Sequence, residues 1–385
     1  MPENKDNKIL NVPNLRFPEF EGEWEEHYLS DYLDFKNGLN PKPERFGKGI
    51  RFISVMDILN NAVITNDCIR ASVDVSEEEL LSFCVENGDI LFQRSSETLE
   101  DVGRANVYMD NKPAVFGGFV IRGKKKAEYD PLFFRYLLAS PFARKKIIPM
   151  GAGAQHFNIG QEGLNKVKLH FALLDEQKKI ARLLSLLDER IAIQNKIIEK
   201  LETLIKGLRV HLTQKTDGYI VYLSEIAKIY QPQTISLSEF TEEGYLVYGA
   251  NGIIGKYREY NHRTEQICIT CRGNTCGMVN YTKPKSWITG NAMIVNTDDY
   301  QDKICKRYLY HYLSTYNFNS IISGSGQPQI VRSPLEKLKV KLPAILKQKQ
   351  IATFLDKLQN QIEINNNILH LYLQQKQYLF RQMFI

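Results

Sequence analysis

Apolar residues return at alternating steps of three and four along two stretches, the spacing that keeps one seam of an α-helix against a partner helix. The first seam is Leu184, Leu187, Ile191, Gln194, Ile198, Leu201, Ile205, Leu208 and Leu212. The second is Leu355, Leu358, Ile362, Asn365, Leu369, Tyr372, Lys376 and Leu379. The spacing predicts long helices over 176–212 and 347–384. At about 1.5 Å per residue, about 35 residues make a rod of roughly 50 Å.

The two helices are copies of one element. Gln177, Ile180, Ala181, Leu184, Ile191, Ile193, Asn195 and Ile197 align with Gln348, Ile351, Ala352, Leu355, Ile362, Ile364, Asn366 and Ile368. Internal repetition at this scale governs how the remaining chain is read. Each seam also carries a polar interruption at the same place, Gln194 in one and Asn365 in the other. Such a residue costs stability but fixes register. The second seam departs from the first at Lys376, where the first has Ile205.

A body precedes each helix, and the order of parts repeats. In the first, strands are predicted at Arg51–Ile58, at Asp89–Gln93 and at Ala114–Arg122 through Gly117-Gly118. A helix over Pro131–Leu138, a glycine-rich turn at Gly151–Asn158 and a strand around Lys166–Leu169 follow. In the second body Tyr222-Leu-Ser-Glu225 echoes Tyr28-Leu-Ser-Asp31, and a strand at Glu265–Thr270 takes the place of the Asp89 strand. Tyr310–Leu313 echoes Phe134–Leu137, the turn Gly324–Gln329 echoes Gly151–Asn158, and Lys339-Val-Lys-Leu342 repeats Lys166-Val-Lys-Leu169. Between these landmarks the bodies share almost nothing. Matching frames that enclose differing surfaces are what two similar modules reading two different targets require.

The predicted class is α/β in the α+β sense. It divides into an N-terminal arm (1–23), a first mixed α/β body (24–170), a first long helix (171–213), a second body (219–342) and a second long helix (343–385). Residues 213–218 read as a linker.

With 43% hydrophobic and 24% charged residues, the 385-residue chain can bury sizeable cores, in two or three domains. Its polar start and the lack of any run of about 18 apolar residues predict neither a secretion signal nor a membrane span, and place it in the cytoplasm. Six scattered cysteines then read as reduced thiols. The net charge of +6 mildly favours a polyanionic partner.

No catalytic constellation emerges. The chain has no phosphate-binding Gly-x-x-x-x-Gly-Lys-Ser/Thr loop, no nucleophile elbow, and no Gly-x-Gly-x-x-Gly between strand and helix. Asn40-Pro-Lys-Pro43 lacks the second consecutive proline and the aromatic residue of an adenine methyltransferase loop. Acid-x-Lys tripeptides such as Asp34-Phe-Lys36 and Glu176-Gln-Lys178 arise by chance at this charge density. Cys268, Cys271 and Cys276 invite a zinc reading. Residues three apart on a strand point to opposite faces, however, so Cys268 and Cys271 read as core.

What remains is binding chemistry. Arg pairs bidentately with guanine, and Asn or Gln with adenine. Candidates in the first body are Gln93, Arg94, Ser95, Ser96 and Arg104, with Gln155, His156 and Asn158 in the glycine-rich turn. In the second they are Asn251, Arg272, Asn274 and Thr275, with Gln327 and Gln329 in the matching turn. Glycine-flanked polar residues also simply make turns, and that reading stays open for each. Lys124, Lys125 and Lys126, then Arg144, Lys145 and Lys146, and Lys283 with Lys285, suit phosphate contacts or an ordinary solvated face.

Two variable bodies alternating with two similar helices, the paired Gln-x-x-Ile-Ala motifs and the opening Pro13-Asn-Leu-Arg-Phe-Pro-Glu-Phe20 resemble the specificity subunit of a type I restriction-modification system, over essentially the whole chain. The resemblance implies two target-recognition domains related by an internal pseudo-twofold repeat, each reading half of a bipartite double-stranded DNA site. It also implies that the helices pack as an antiparallel coiled coil that sets the gap. A rod of roughly 50 Å would span at least one turn of B-DNA, roughly 35 Å. The expected partners are two modification subunits, which carry S-adenosylmethionine, and restriction subunits, which use ATP and Mg. This chain itself is expected to hold no cofactor or metal and to perform no catalysis.

Spacer and docking roles fall on Gln177, Leu184, Leu187, Ile191, Gln194, Ile198, Leu355, Ile362, Asn365 and Leu369. Two rivals are a stand-alone DNA-modifying enzyme, which would turn over alone, and a coiled-coil scaffold, which would not depend on Arg94 or Arg272.

Overall fold

The computed structural model describes residues 11–324 and 326–385. The first ten residues of the predicted arm, and Ser325 in the second glycine-rich turn, lie outside that range. Residues up to Ile193 together with Leu369–Ile385 form one compact unit, and Gln194–Ile368 the other.

The first unit is built on a four-stranded antiparallel sheet. Its order is Leu33–Asn37, Val120–Lys125, Ile90–Gln93, Ala105–Val107. A second sheet lays Phe46–Ile53 between Ser72–Val73 and Ala114–Phe116, the latter pair parallel. A short ladder joins Glu25–Tyr28 to Lys168–Phe171. The helix Pro131–Ala139 begins with Asp130 accepting the Phe133 N–H (2.8 Å) and Pro131 in the first turn, where a missing N–H costs nothing. It buries Phe133, Phe134, Tyr136, Leu137 and Leu138.

The second unit repeats this plan. Lys228–Tyr230, Ala292–Asn296, Ile267–Thr270 and Val279–Tyr281 form the four-stranded sheet in the same order. Tyr245–Gly249 lies between Gly252–Tyr257 and the parallel Trp287–Ile288. Tyr219–Tyr222 pairs with Lys339–Leu342, and the helix Lys306–Leu313 takes the place of Pro131–Ala139. The shared plan runs well beyond the short echoes visible in the sequence.

The long helices span Leu174–Gln214 and Ile345–Gln382, so the first runs through the start of the predicted 213–218 linker. The Gln-x-x-Ile-Ala motif fastens each helix to its own body. Ile180, Ala181 and Leu184 join the first core, and Ile351, Ala352 and Leu355 the second. Gln177 donates to the Ala172 carbonyl (2.8 Å) and accepts from the Asp130 N–H (3.0 Å). Gln348 donates to the Pro343 and Lys303 carbonyls (2.9 and 3.1 Å) and accepts from the Cys305 N–H (2.9 Å). Asp130 and Cys305 each stand at the N-terminus of their unit's domain helix. Both amides are buried and fully engaged, as burial of a polar group demands.

Within the second unit Gln194 meets Asn365 and Arg209 donates to Gln359 (2.7 Å), so the helices run antiparallel there. In the first unit Lys376 is no packing defect: it pairs with Asp188 at 2.5 Å, and Asp188 also accepts from the Tyr136 hydroxyl (2.9 Å).

Three local expectations are corrected. The strand predicted at Arg51–Ile58 ends at Ile53, because Ser54 bonds to Asp57 through its N–H (2.8 Å) and hydroxyl (2.7 Å) and starts the helix Val55–Asn60. The stretch Ala114–Arg122 is two strands in different sheets, parted at Gly117 and Gly118. The described part of the arm is tied down: Arg16 grips the buried Glu176 with two bonds (2.8 and 2.7 Å), and the Leu15 N–H donates to the Gln382 carbonyl (2.8 Å).

Candidate nucleic-acid interface

The two glycine-rich turns have one frame. Ala152 and Asn158 exchange N–H to carbonyl bonds of 2.9 and 2.8 Å, and Ser323 and Gln329 exchange the same pair at 2.9 and 2.8 Å. Gly153 and Gly324 hold left-handed backbone (φ 143° and 92°), and a Cβ on either would collide with the carbonyl of His156 or Gln327. Each turn is pinned to the loop after the central strand. Ile159 N–H donates to the Arg94 carbonyl (2.9 Å), and Ile330 N–H to the Cys271 carbonyl (3.0 Å). Next to these contacts Ser95 pairs with Asn158, and Arg272 with Gln329.

The structure therefore gathers Arg94, Ser95, Ser96 and Asn158 at one site, with Gln155 and His156 exposed on the same turn. In the second unit Arg272 and Gln329 line one cleft of about 380 Å³, which also takes in Arg332 and Gln231. Gln327, Asn274 and Asn251 are exposed, and Thr275 is half-buried. Asn251 sits at the hairpin turn between Tyr245–Gly249 and Gly252–Tyr257, where Gly252 has φ 101°.

Several expectations change. Gln93 is 5% exposed, and its Nε2 donates inward to the Ser95 carbonyl (2.9 Å), so it shapes the loop and presents nothing to a ligand. Arg104 is ion-paired to Asp101 (2.6 Å) and lines a separate cleft of about 400 Å³ with Glu100, Arg135 and Arg144. Burial, followed by the nearby Arg104 charge, lowers the Arg144 guanidinium to about 10.

Lys124, Lys125 and Lys126 each face a carboxylate, Glu86 (2.9 Å), Glu128 (3.4 Å) and Asp34 (3.4 Å). Their charge is thus part-neutralised, although exposed pairs of this kind are weak. Lys145, Lys283 and Lys285 are exposed. In the set given spacer and docking roles, Gln177, Leu184, Leu187, Gln194, Ile198, Leu355 and Ile362 are buried and Ile191, Asn365 and Leu369 half-buried, which fits the spacer role of packing the helices and joining them to the bodies. Phe119 and Asn291, which the sequence does not single out, are exposed and each follow a buried glycine beside these turns.

Cys268 packs with Tyr248, Ile288 and Ile294, while Cys271 joins the other core with Met293 and Ile330, which follows from the opposite faces of their strand. Burial raises the Cys268 thiol to about 12. No helix among the described residues is long and apolar enough to cross a membrane.

A family model described as the type I restriction modification DNA specificity domain matches residues 21–203 and again 219–371. The chain belongs to that family. The type I restriction enzyme MjaVIII specificity subunit of Methanocaldococcus jannaschii is 23% identical, over 94% of this chain and 91% of that one. The EcoprrI specificity subunit of Escherichia coli is 34% identical over 37% of this chain and 36% of its own length. The crystal structure of a type I restriction-modification S subunit from M. genitalium has the same fold: TM-score 0.67 at 17% identity, covering 97% of this chain and 99% of that one. The duplicated family match coincides with the duplicated frame of the specificity subunit described above.

Proposed function

We propose that this specificity subunit reads a bipartite duplex DNA site, one half with residues 24–170 and the other with residues 219–342, and that the two long helices set a fixed gap between the halves. The observation that supports the reading most directly is the repeated turn frame carrying different side chains: Arg94, Ser95 and Asn158 in one unit, Cys271, Arg272 and Gln329 in the other. A common scaffold with exchanged reading groups gives two sequences from one architecture. Arg272 and Gln329 suit guanine and adenine edges. In the first half the remaining N–H groups of Arg94 suit guanine and the exposed Gln155 suits adenine, because the Asn158 amide is already bonded to the Ser95 hydroxyl and the His156 carbonyl.

Chemistry belongs to the partners. Two modification subunits with bound S-adenosylmethionine methylate adenine, and restriction subunits add steps that need ATP and Mg; this chain contributes no cofactor and no reacting group. The exposed isoleucines Ile197 and Ile364 of the second unit, 39% and 41% exposed, offer the modification subunits apolar contacts on the helices, and the complex works in the cytoplasm.

The test is a map of methylated adenines in cells expressing this chain with a matching modification subunit, against cells lacking only this chain. A new two-part motif with a constant gap is expected. No change with an active partner would replace this reading with that of a scaffold.

A further inference from the structure

In the first unit the strands Ala114–Phe116 and Val120–Lys125 are joined by Gly117, Gly118 and Phe119. Arg94 braces this tip, its N–H donating to the Phe119 carbonyl (2.9 Å) and its Nη1 to the Gly118 carbonyl (3.2 Å). In the second unit Trp287–Ile288 and Ala292–Asn296 are joined by Thr289, Gly290 and Asn291. There the Cys271 N–H donates to the Asn291 carbonyl (3.1 Å). Cys271 stands where Arg94 stands, because each carbonyl accepts from the isoleucine that ends its unit's glycine-rich turn, Ile330 or Ile159.

The tips are thus one structural position met twice. Both keep a buried glycine for the same reason: a Cβ on Gly118 would collide with the Asn40 side chain, and one on Gly290 with Thr234. The residue after that glycine is released from such packing. Phe119 is 68% exposed and Asn291 is exposed too. A phenyl ring held in water by a hydrogen-bonded two-strand tip forgoes the burial that normally places aromatic side chains. It borders a cleft of about 530 Å³ with Met56 and Phe46, whose rim includes Ser95, one of the polar groups of the reading site.

We infer that this tip residue is a specificity-determining contact at a base edge. Phe119 takes the 5-methyl group of a thymine in the half-site read by the first unit. Asn291 takes the N6 and N7 edge of an adenine in the other half-site. The inference rests on the reading that each unit contacts its own half of the DNA. It assigns the two contacts from the chemistry of the side chains: an apolar ring has only the thymine methyl to meet in the major groove, and an amide pairs bidentately with adenine.

The experiment uses the full chain with its modification subunits and duplexes carrying the motif mapped for the wild type. Each thymine of the half-sites is replaced in turn by deoxyuridine, which removes only the methyl group. One replacement, in one half-site, should weaken wild-type binding about fourfold, the effect of one buried methyl group. Phe119→Ala should be indifferent to that replacement, and Phe119→Leu should keep part of the preference. Asn291→Ala should relax one adenine position in the other half-site by about 5- to 150-fold.

Any of three results overturns the assignment: a Phe119→Ala complex as sensitive to deoxyuridine as the wild type, a motif without thymine in the affected half, or both variants altering the same half. A wild-type map with no two-part motif would instead defeat the half-site reading on which the inference stands.

Discussion

Gln194 Nε2 donates to the backbone carbonyl (3.0 Å) and to the side-chain Oδ1 (2.7 Å) of Asn365, the residue that holds its own place in the second copy of the helix. Two equivalent positions of antiparallel copies meet only where the repeat crosses itself. The pair therefore marks the register point of the helices. Its amides bond to each other across the seam, so a slip of the helices would break that pairing.

Gln194→Ala should destabilise the chain by about 1–2 kcal/mol, since it leaves Asn365 polar groups unpaired in a partly dry seam. The double change Gln194→Leu with Asn365→Leu should recover most of that loss while weakening the preference for one register. Urea unfolding of the two variants checks this. A single variant as stable as wild type would show that the amide pair does not hold the register.

Gln177 and Gln348 make the matching prediction for the body-to-helix joints. Replacing either with Leu strands backbone groups it now satisfies and should cost about 1–3 kcal/mol. The effect should be local: Gln177→Leu should speed hydrogen exchange at the Asp130 amide, and Gln348→Leu at the Cys305 amide. Equal exchange at both amides in both variants would contradict a joint confined to its own unit.

The repeat, the two helices and their polar register residues were legible in the sequence because helical periodicity and copied motifs are local signals. The turn frames were legible too, since Gly153 and Gly324 mark backbone that other residues enter only with strain. What each side chain faces was not. Gln93 looks like a base reader, yet strand pairing turns it inward. Phe119 looks like part of a strand and proves to be a tip, because the chain leaves one sheet for another at Gly117 and Gly118. Lys124 to Lys126 look like a free basic cluster, yet Glu86 and Asp34 arrive from distant strands and loops to meet Lys124 and Lys126, and Glu128 turns back onto Lys125 from three residues on. Most of these outcomes depend on strands and loops that are distant in sequence and meet only in the fold.

The second unit carries a cluster of charged groups around the buried His311, with a pH consequence. His311 lies against Asp356 (2.8 Å) and accepts at Nδ1 from Arg209 Nε (3.1 Å), while Arg307 also pairs with Asp356 (2.9 Å). Burial chiefly lowers the His311 pKa below its ordinary 6.5. Asp356 is also lowered, because bonds from His311 and Arg307 outweigh its burial. Below about pH 6.5 the unfolded chain takes up a proton that the native His311 refuses, so stability falls as pH drops. The Asp356 contribution has the same sign and is lost at still lower pH, below its ordinary 3.8. The melting temperature should therefore decline between pH 8 and 5, and His311→Gln should flatten that slope. A His311→Gln variant with the wild-type slope would rule out this histidine as its source.

The most direct test of the whole account lengthens the spacer. One helical turn, about four residues, is inserted after Lys200, with a matching turn after Gln359 on the facing stretch of the other helix, and methylated adenines are mapped for the complex. The account predicts that both half-site sequences persist while the gap between them changes. An unchanged gap, or altered half-site sequences at the old gap, would contradict it.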